Sequence, residues 1–235
     1  MTVKDILSIA IETTCRAGGV ALGVGDDVRE VIAFDAQRRH ATQLVARLAD
    51  LLARAGAKPG DVGEVYVSAG PGGFTGTRVG ITVARTLAQA NPHIRCVAVP
   101  TPEAVLAAAA GDEWQHLAVV LDAGKGLLHA TLYARAGSAP VPAGPSRVAT
   151  AAEFLADSPR PLSLIGEGLA FHALEAAGVS TMFPPDDARH LPTPANVWQV
   201  GRRMAAAGCF TDYHLLLPHY ARAPEAVRLW EERNA

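Results

Sequence analysis

Residues 6–14, Ile-Leu-Ser-Ile-Ala-Ile-Glu-Thr-Thr, are apolar at neighbouring positions and do not alternate with polar ones. That pattern predicts a strand buried on both faces and central in its sheet. Gly18-Gly19 turns the chain into residues 20–24, and Gly25-Asp26-Asp27 turns it again into residues 30–34. Three strands with such short turns predict an antiparallel meander. From Arg39 to Ala55 the period changes: Ala41, Leu44, Val45, Leu48, Leu51, Leu52 and Ala55 recur at helical spacing, opposite Gln43, Arg47, Asp50 and Arg54. Gly56 and Pro59-Gly60 stop this helix. A strand over 64–69, a second helix over 79–90 and a strand over 94–99 complete a β-β-β-α-β-α-β series, which suits one lobe of a ribonuclease-H-like fold.

Pro100-Thr101-Pro102 marks a boundary, with Thr101 placed to cap an alanine-rich helix that Pro102 opens. It divides the chain into a first lobe, 1–101, and a smaller second lobe, 102–235, whose last segment is expected to pack back on the first. The second half is a looser echo. A strand over 117–121 ends at Asp122, and Gly124-Lys125-Gly126 turns into a strand over 127–134. The proline-rich stretch 140–145 reads as a surface loop, and Thr150-Ala151-Ala152-Glu153 as a capping box. A strand over 162–165, a turn at 166–168 and a helix over 170–177 follow. Residues 183–192 read as irregular. A helix begins at Thr193-Pro194 and runs to 207, and 215–235 ends in a charged helix.

With 235 residues, 49% of them hydrophobic and 19% charged, the chain can bury a sizeable core. A formal net charge of −2 argues against holding nucleic acid by its own field. Cys15, Cys96 and Cys209 are scattered, with no Cys-x-x-Cys pair, as expected of reduced thiols. The start is too short and polar for a signal peptide, and no apolar run reaches membrane-spanning length. A soluble cytoplasmic protein is expected.

The densest motif is Gly70-Pro71-Gly72-Gly73-Phe74-Thr75-Gly76-Thr77-Arg78, between a predicted strand and a predicted helix. Such a loop can aim amides and a helix N-terminus at a phosphate. The spacing fits neither a P-loop nor the Gly-x-Gly-x-x-Gly fingerprint, since Thr75 stands at the third glycine. A sharp connection that lets the helix pack very close to a neighbour is the preferred reading. Thr75 or Thr77 is placed to cap the helix.

Among the acids, Glu12 and Asp122 each end a strand that a glycine turn follows. Two such carboxylates, one per lobe, form the skeleton of an actin-like ATP cleft, able to hold a metal–phosphate complex or orient a water. The alternative for Glu12 is a carboxylate satisfied by neighbouring backbone amides. A clear adenosine loop is missing, Gly166-Glu167-Gly168 being a weak candidate, so a vestigial cleft is expected. The eight histidines include no His-x-x-x-His pair. No Gly-x-Ser-x-Gly elbow exists, and Cys15 has no histidine near it in sequence. The second helix carries a polar stripe of Arg78, Thr82, Arg85 and Gln89 on an otherwise small and apolar surface. Part of that surface, and of the first helix, is either buried in the lobe or kept for another chain.

Residues 9–14, Arg39-His40, the 70–80 glycine stretch and Pro218-His219-Tyr220-Ala221-Arg222-Ala223-Pro224-Glu225 together resemble the TsaB (YeaZ) family. The resemblance spans nearly the whole chain. It implies an α/β, two-lobed actin-like ATPase fold with mixed sheets, the second lobe short and degenerate. It also implies a non-catalytic scaffold subunit of the tRNA N6-adenosine threonylcarbamoyltransferase complex, acting on the adenosine beside the anticodon. TsaD is then the heterodimer partner and TsaE a further one, with ATP and metal on those subunits and none required here. Contact with tRNA comes only through the complex, and a homodimer through the same helices is expected when the chain is alone. Leu44, Val45, Leu48, Leu52, Thr75, Arg78, Val79, Thr82, Val83, Thr86 and Leu87 are the expected partner interface. The rival expectation is an active ATP-dependent enzyme of the actin-like clan that uses Glu12 and Asp122.

Overall fold

A computed structural model describes residues 6–35, 40–137, 139–222, 230 and 233. The first lobe is a five-stranded mixed sheet. Strands β1 (Leu7–Glu12), β2 (Ala17–Val24) and β3 (Asp27–Asp35) form the antiparallel meander, and helix α1 (His40–Arg54) follows. Strand β4 (Val62–Gly70), helix α2 (Phe74–Ala90) and strand β5 (Arg95–Pro100) come next, giving the order β3-β2-β1-β4-β5 with β4 and β5 parallel to β1.

Strand parity divides the core. Ile9 and Ile11 of β1 face Leu44, Leu48, Leu51 and Leu52 of α1 and Ile81, Ala84 and Ala88 of α2. Ala10 faces the other way, with Tyr66 and Val97, onto a helix from the end of the chain.

Helix α3 (Thr101–Leu106) leads into the second sheet. That sheet holds β6 (His116–Asp122), β7 (Leu128–Ala136), β8 (Ala139–Pro142) and β9 (Arg147–Ala149), then, after helix α4 (Ala151–Asp157), β10 (Leu162–Ile165) and β11 (Val179–Thr181). Its order is β11-β10-β6-β7-β8, with β9 paired to β7. The Thr150–Glu153 capping box opens α4, the Glu153 N–H donating to the Thr150 hydroxyl at 3.3 Å.

Helix α5 (Pro194–Ala206) then returns to the first sheet. Val197, Trp198 and Val200 pack on Ala10, Ala21 and Tyr66. A Cβ at Gly23 would lie inside the Trp198 indole and one at Gly201 inside the Tyr66 ring, so these glycines let helix and sheet meet. The Trp198 indole N–H donates to the Ser8 hydroxyl at 2.9 Å, satisfying a polar handle in an apolar layer.

Several expectations are corrected. Thr101 does not cap α3; its hydroxyl instead meets Ser68 at 3.1 Å and Thr14 at 3.4 Å. Neither Thr75 nor Thr77 caps α2, which starts at Phe74 with Gly73 as N-cap; the Thr77 hydroxyl donates to the Gly73 carbonyl at 2.9 Å. Residues 139–142 are an edge strand, a position where prolines without an N–H are tolerated. Residues 170–177 form no α-helix: a short 3₁₀ turn, Glu167–Ala170, is all that forms, and Leu174 is buried after it. Of the expected charged terminal helix, everything from residue 223 lies outside the described residues except 230 and 233. Among the described residues no helix is long and apolar enough to cross a membrane.

Candidate functional site

The glycine motif is explained by contact, atom by atom. The Gly73 N–H donates to the Thr14 carbonyl at 2.7 Å, and a Cβ at Gly72 would stand 2.6 Å from the Thr14 side chain. At Gly80 a Cβ would strike the Thr13 hydroxyl, which donates to the Gly76 carbonyl at 2.8 Å. Gly70, at φ +104°, leaves room for the carbonyl of His219. The loop thus presses the first turn of α2 onto the end of β1, the close-packing reading of the sequence.

This packing builds one wall of a cleft of about 640 Å³ between the two lobes. Thr13, Thr14, Cys15 and Arg16 line it together with residues 72–76. Asp122, the 123–125 turn, Glu167 and Phe171 line it from the second lobe, and residues 220–222 line it as well. Asp122 accepts from the Gly124 N–H at 3.2 Å and contacts His172 Nε2 at 3.1 Å. Glu12, expected as its counterpart, does not line the cleft. It shares the β1 face of Ser8 and Ala10 and is wholly buried. One carboxylate oxygen accepts the Thr14 N–H at 2.5 Å and the Thr14 hydroxyl at 2.6 Å, while the other has no partner. Burial pushes its pKa up to about 7.

Gly166 and Gly168 bring the 166–168 turn against β6. A Cβ on either would strike the backbone of Val120 in β6, so both serve close approach. Cys15 is buried against Glu167. Burial and then the charge of that neighbour hold its thiol well above its usual range, the reverse of an activated nucleophile. Among the described residues no three His, Cys, Asp or Glu side chains converge as metal ligands.

Beside the cleft, α1 and α2 form the outer flank of the first lobe. Leu44, Leu48 and Leu52, expected at a partner interface, are 0%, 6% and 4% exposed; they fill the core under α1 and are not available to another chain. Val45, on the outer face, is 57% exposed. On α2, Thr75, Arg78, Thr82 and Thr86 are exposed, whereas Val79, Val83 and Leu87 are half-buried against the core. The expected set therefore splits into an outer row and a row that supports it. Sequence reasoning missed Phe74 and Tyr220, whose rings stack with centroids 5.2 Å apart at the cleft mouth. It also missed Arg16, whose guanidinium lies 5.1 Å from the Phe171 ring centroid. These pairs are distant in sequence, and no local period marks them.

Residues 31–210 match the family model described as TsaD: tRNA N6-adenosine threonylcarbamoyltransferase. The chain belongs to the TsaD family. The chain is also 29% identical over 230 residues to the tRNA threonylcarbamoyladenosine biosynthesis protein TsaB of Bacillus subtilis (strain 168), covering 95% of this chain and 97% of that protein. Among solved structures it is similar to YeaZ from Pseudomonas aeruginosa, with TM-score 0.75 and 22% identity, covering 92% of this chain and 99% of that one. A second structure, titled an uncharacterized protein with similarity to peptidase YEAZ from the same organism, superposes with TM-score 0.78 at 22% identity, covering 92% and 100%. The two-lobed actin-like fold expected from the sequence is the one found, and this chain shares its fold with both P. aeruginosa structures.

Proposed function

We propose that this chain serves tRNA threonylcarbamoyladenosine biosynthesis as a scaffold subunit that docks a catalytic TsaD through the outer face of α1 and α2. The observation that carries this reading is the exposed row Val45, Thr75, Arg78, Thr82 and Thr86, seated on the supporting row Val79, Val83 and Leu87. The B. subtilis relative is named for the same biosynthesis. Small hydroxyl and apolar side chains on adjoining helices suit close helix-on-helix contact, with the half-buried second row keeping the face rigid. ATP and metal belong to TsaD and TsaE in this reading, and tRNA is met only through the assembly. The same face gives a homodimer when the chain is alone.

The rival, an ATP-dependent enzyme using Glu12 and Asp122 around magnesium, does not fit the residues. Glu12 is enclosed on the Ser8–Ala10 face of β1, so of these two acids Asp122 alone reaches the cleft. A peptidase reading finds Cys15 buried, its thiol held protonated beside Glu167.

Reconstitution tests the proposal. TsaD, TsaE, ATP, threonylcarbamoyl-adenylate and tRNA are combined with and without this chain. Product only in its presence supports the scaffold role, and equal product without it refutes that role.

A further inference from the structure

The motif at residues 218–222 belongs to neither the lobe cores nor the α1–α2 flank, yet it makes a run of specific contacts. The His219 N–H donates to the Ala69 carbonyl near the end of β4, at 2.7 Å. Its carbonyl fills the space that a Cβ on Gly70 would need. One residue on, the Tyr220 ring stacks on Phe74, the first residue of α2, with planes 27° apart. Two residues further, Arg222 Nη1 donates to the carbonyls of Ala123 and Gly124 at 3.4 and 3.2 Å, in the turn between β6 and β7. The first contacts are all on the first lobe and the last is on the second. Tyr220, Ala221 and Arg222 line the cleft between them.

We propose that residues 219–222 are a strap that crosses the cleft mouth and holds the two lobes closed on each other. Helix α3 is a separate crossing, packed into the second-lobe core through Val105 and Leu106 and tied by the Tyr133 hydroxyl to Glu103 at 3.0 Å. The chain crosses a second time where it returns from β11 to α5, which packs beside α3; the strap adds a third tie, at the cleft itself. Its fastenings are a stacked ring pair and a few hydrogen bonds at half-exposed side chains, so it can part without unfolding either sheet. The absent Cβ at Gly70 is then a requirement of the strap's path. This inference stands whatever α2 docks.

Amide hydrogen exchange on the full chain tests it, because both ends of the strap rest on elements with their own bonded amides. Those are Gly73 and Thr77 in the first lobe and Ala123 and Leu127 in the second. Arg222→Ala removes only the second-lobe fastening. A strap acting as one unit predicts at least fivefold faster exchange at 73–77 as well as at 123–127, with β1 and β4 unchanged. Acceleration confined to 123–127, or none, overturns it. If β1 and β4 also accelerate in that variant, Tyr220→Leu decides by the mirror criterion: faster exchange at 123–127, which lies in the opposite lobe from Phe74, supports the strap, and its absence overturns it.

Discussion

Thr14 directs both its backbone N–H and its hydroxyl to a single oxygen of Glu12, and the second oxygen of that carboxylate has no partner. Thr14 is also the residue on which the glycine loop rests, through its carbonyl and the Gly73 N–H. The acid that ends the central strand therefore acts on the loop from behind. Ser68 and Thr101 complete a buried polar cluster around it.

A carboxylate whose pKa rises from 4.5 to about 7 on folding binds its proton more tightly in the native state. Between those values the native state holds more protons than the unfolded one, so this group's stabilisation is full below pH 4.5 and is lost as pH rises through 7. The loss amounts to roughly 3 kcal/mol. Urea unfolding of the native chain and of Glu12→Gln should show the variant gaining on the parent as pH goes from 5 to 8. Parallel curves would show that Glu12 is ionised throughout.

Gly23→Ala and Gly201→Ala each drive a methyl group into an aromatic ring of the α5 contact. Overpacking of this kind destabilises by about 1–3 kcal/mol. Gly60→Ala, with nothing within 4 Å of its Cβ, is the control and should stay within about 0.5 kcal/mol. Equal denaturation midpoints for the three variants would contradict the close approach of α5 to the sheet.

Thiol accessibility separates the three cysteines. Cys15 and Cys96 are buried, with burial pushing the Cys96 thiol up to about 11, whereas Cys209 is exposed. Iodoacetamide at pH 8 should alkylate Cys209 well before either of the others, as read by peptide mass spectrometry. Rapid labelling of Cys15 in the folded chain would revive a nucleophilic role for it.

Charge placed on the outer row should break docking without harming the fold. Val45→Glu and Thr82→Glu both leave the monomer's core intact and would bury an unpaired charge in a helix–helix contact, for a loss of at least tenfold in affinity for TsaD. Val83 and Leu87 are poorer choices, because both also pack on the core. Affinity measured by calorimetry, with melting temperature as the control on folding, checks this; unchanged binding would move the docking face elsewhere.

The first lobe was legible because its signals are local. Continuous apolar residues marked β1, and the helical period of residues 41–55 marked α1. The second lobe was less so. β9 and β11 have three residues each and bury none of them, and β8 carries prolines that disguise its pairing. At the site, the glycines announced close packing correctly, but not what they pack against. Thr14 is about 60 positions from Gly72, and His219 about 150 from Gly70. Glu12 and Asp122 look alike as strand ends; strand parity and the depth of burial, which only the fold supplies, send one inward and leave the other in the cleft. The same depth separates Val45 from Leu44 and Leu48, which share one helical pattern.

The central claim is that the outer face of α1 and α2 holds a catalytic TsaD. Hydrogen-exchange protection of this chain on binding a cognate TsaD tests it most directly. The account predicts slowed exchange over α2 and the Val45 side of α1, with the α5 side of the sheet unaffected. Protection centred on the second lobe or on α5, with α2 unchanged in a stable complex, would contradict it.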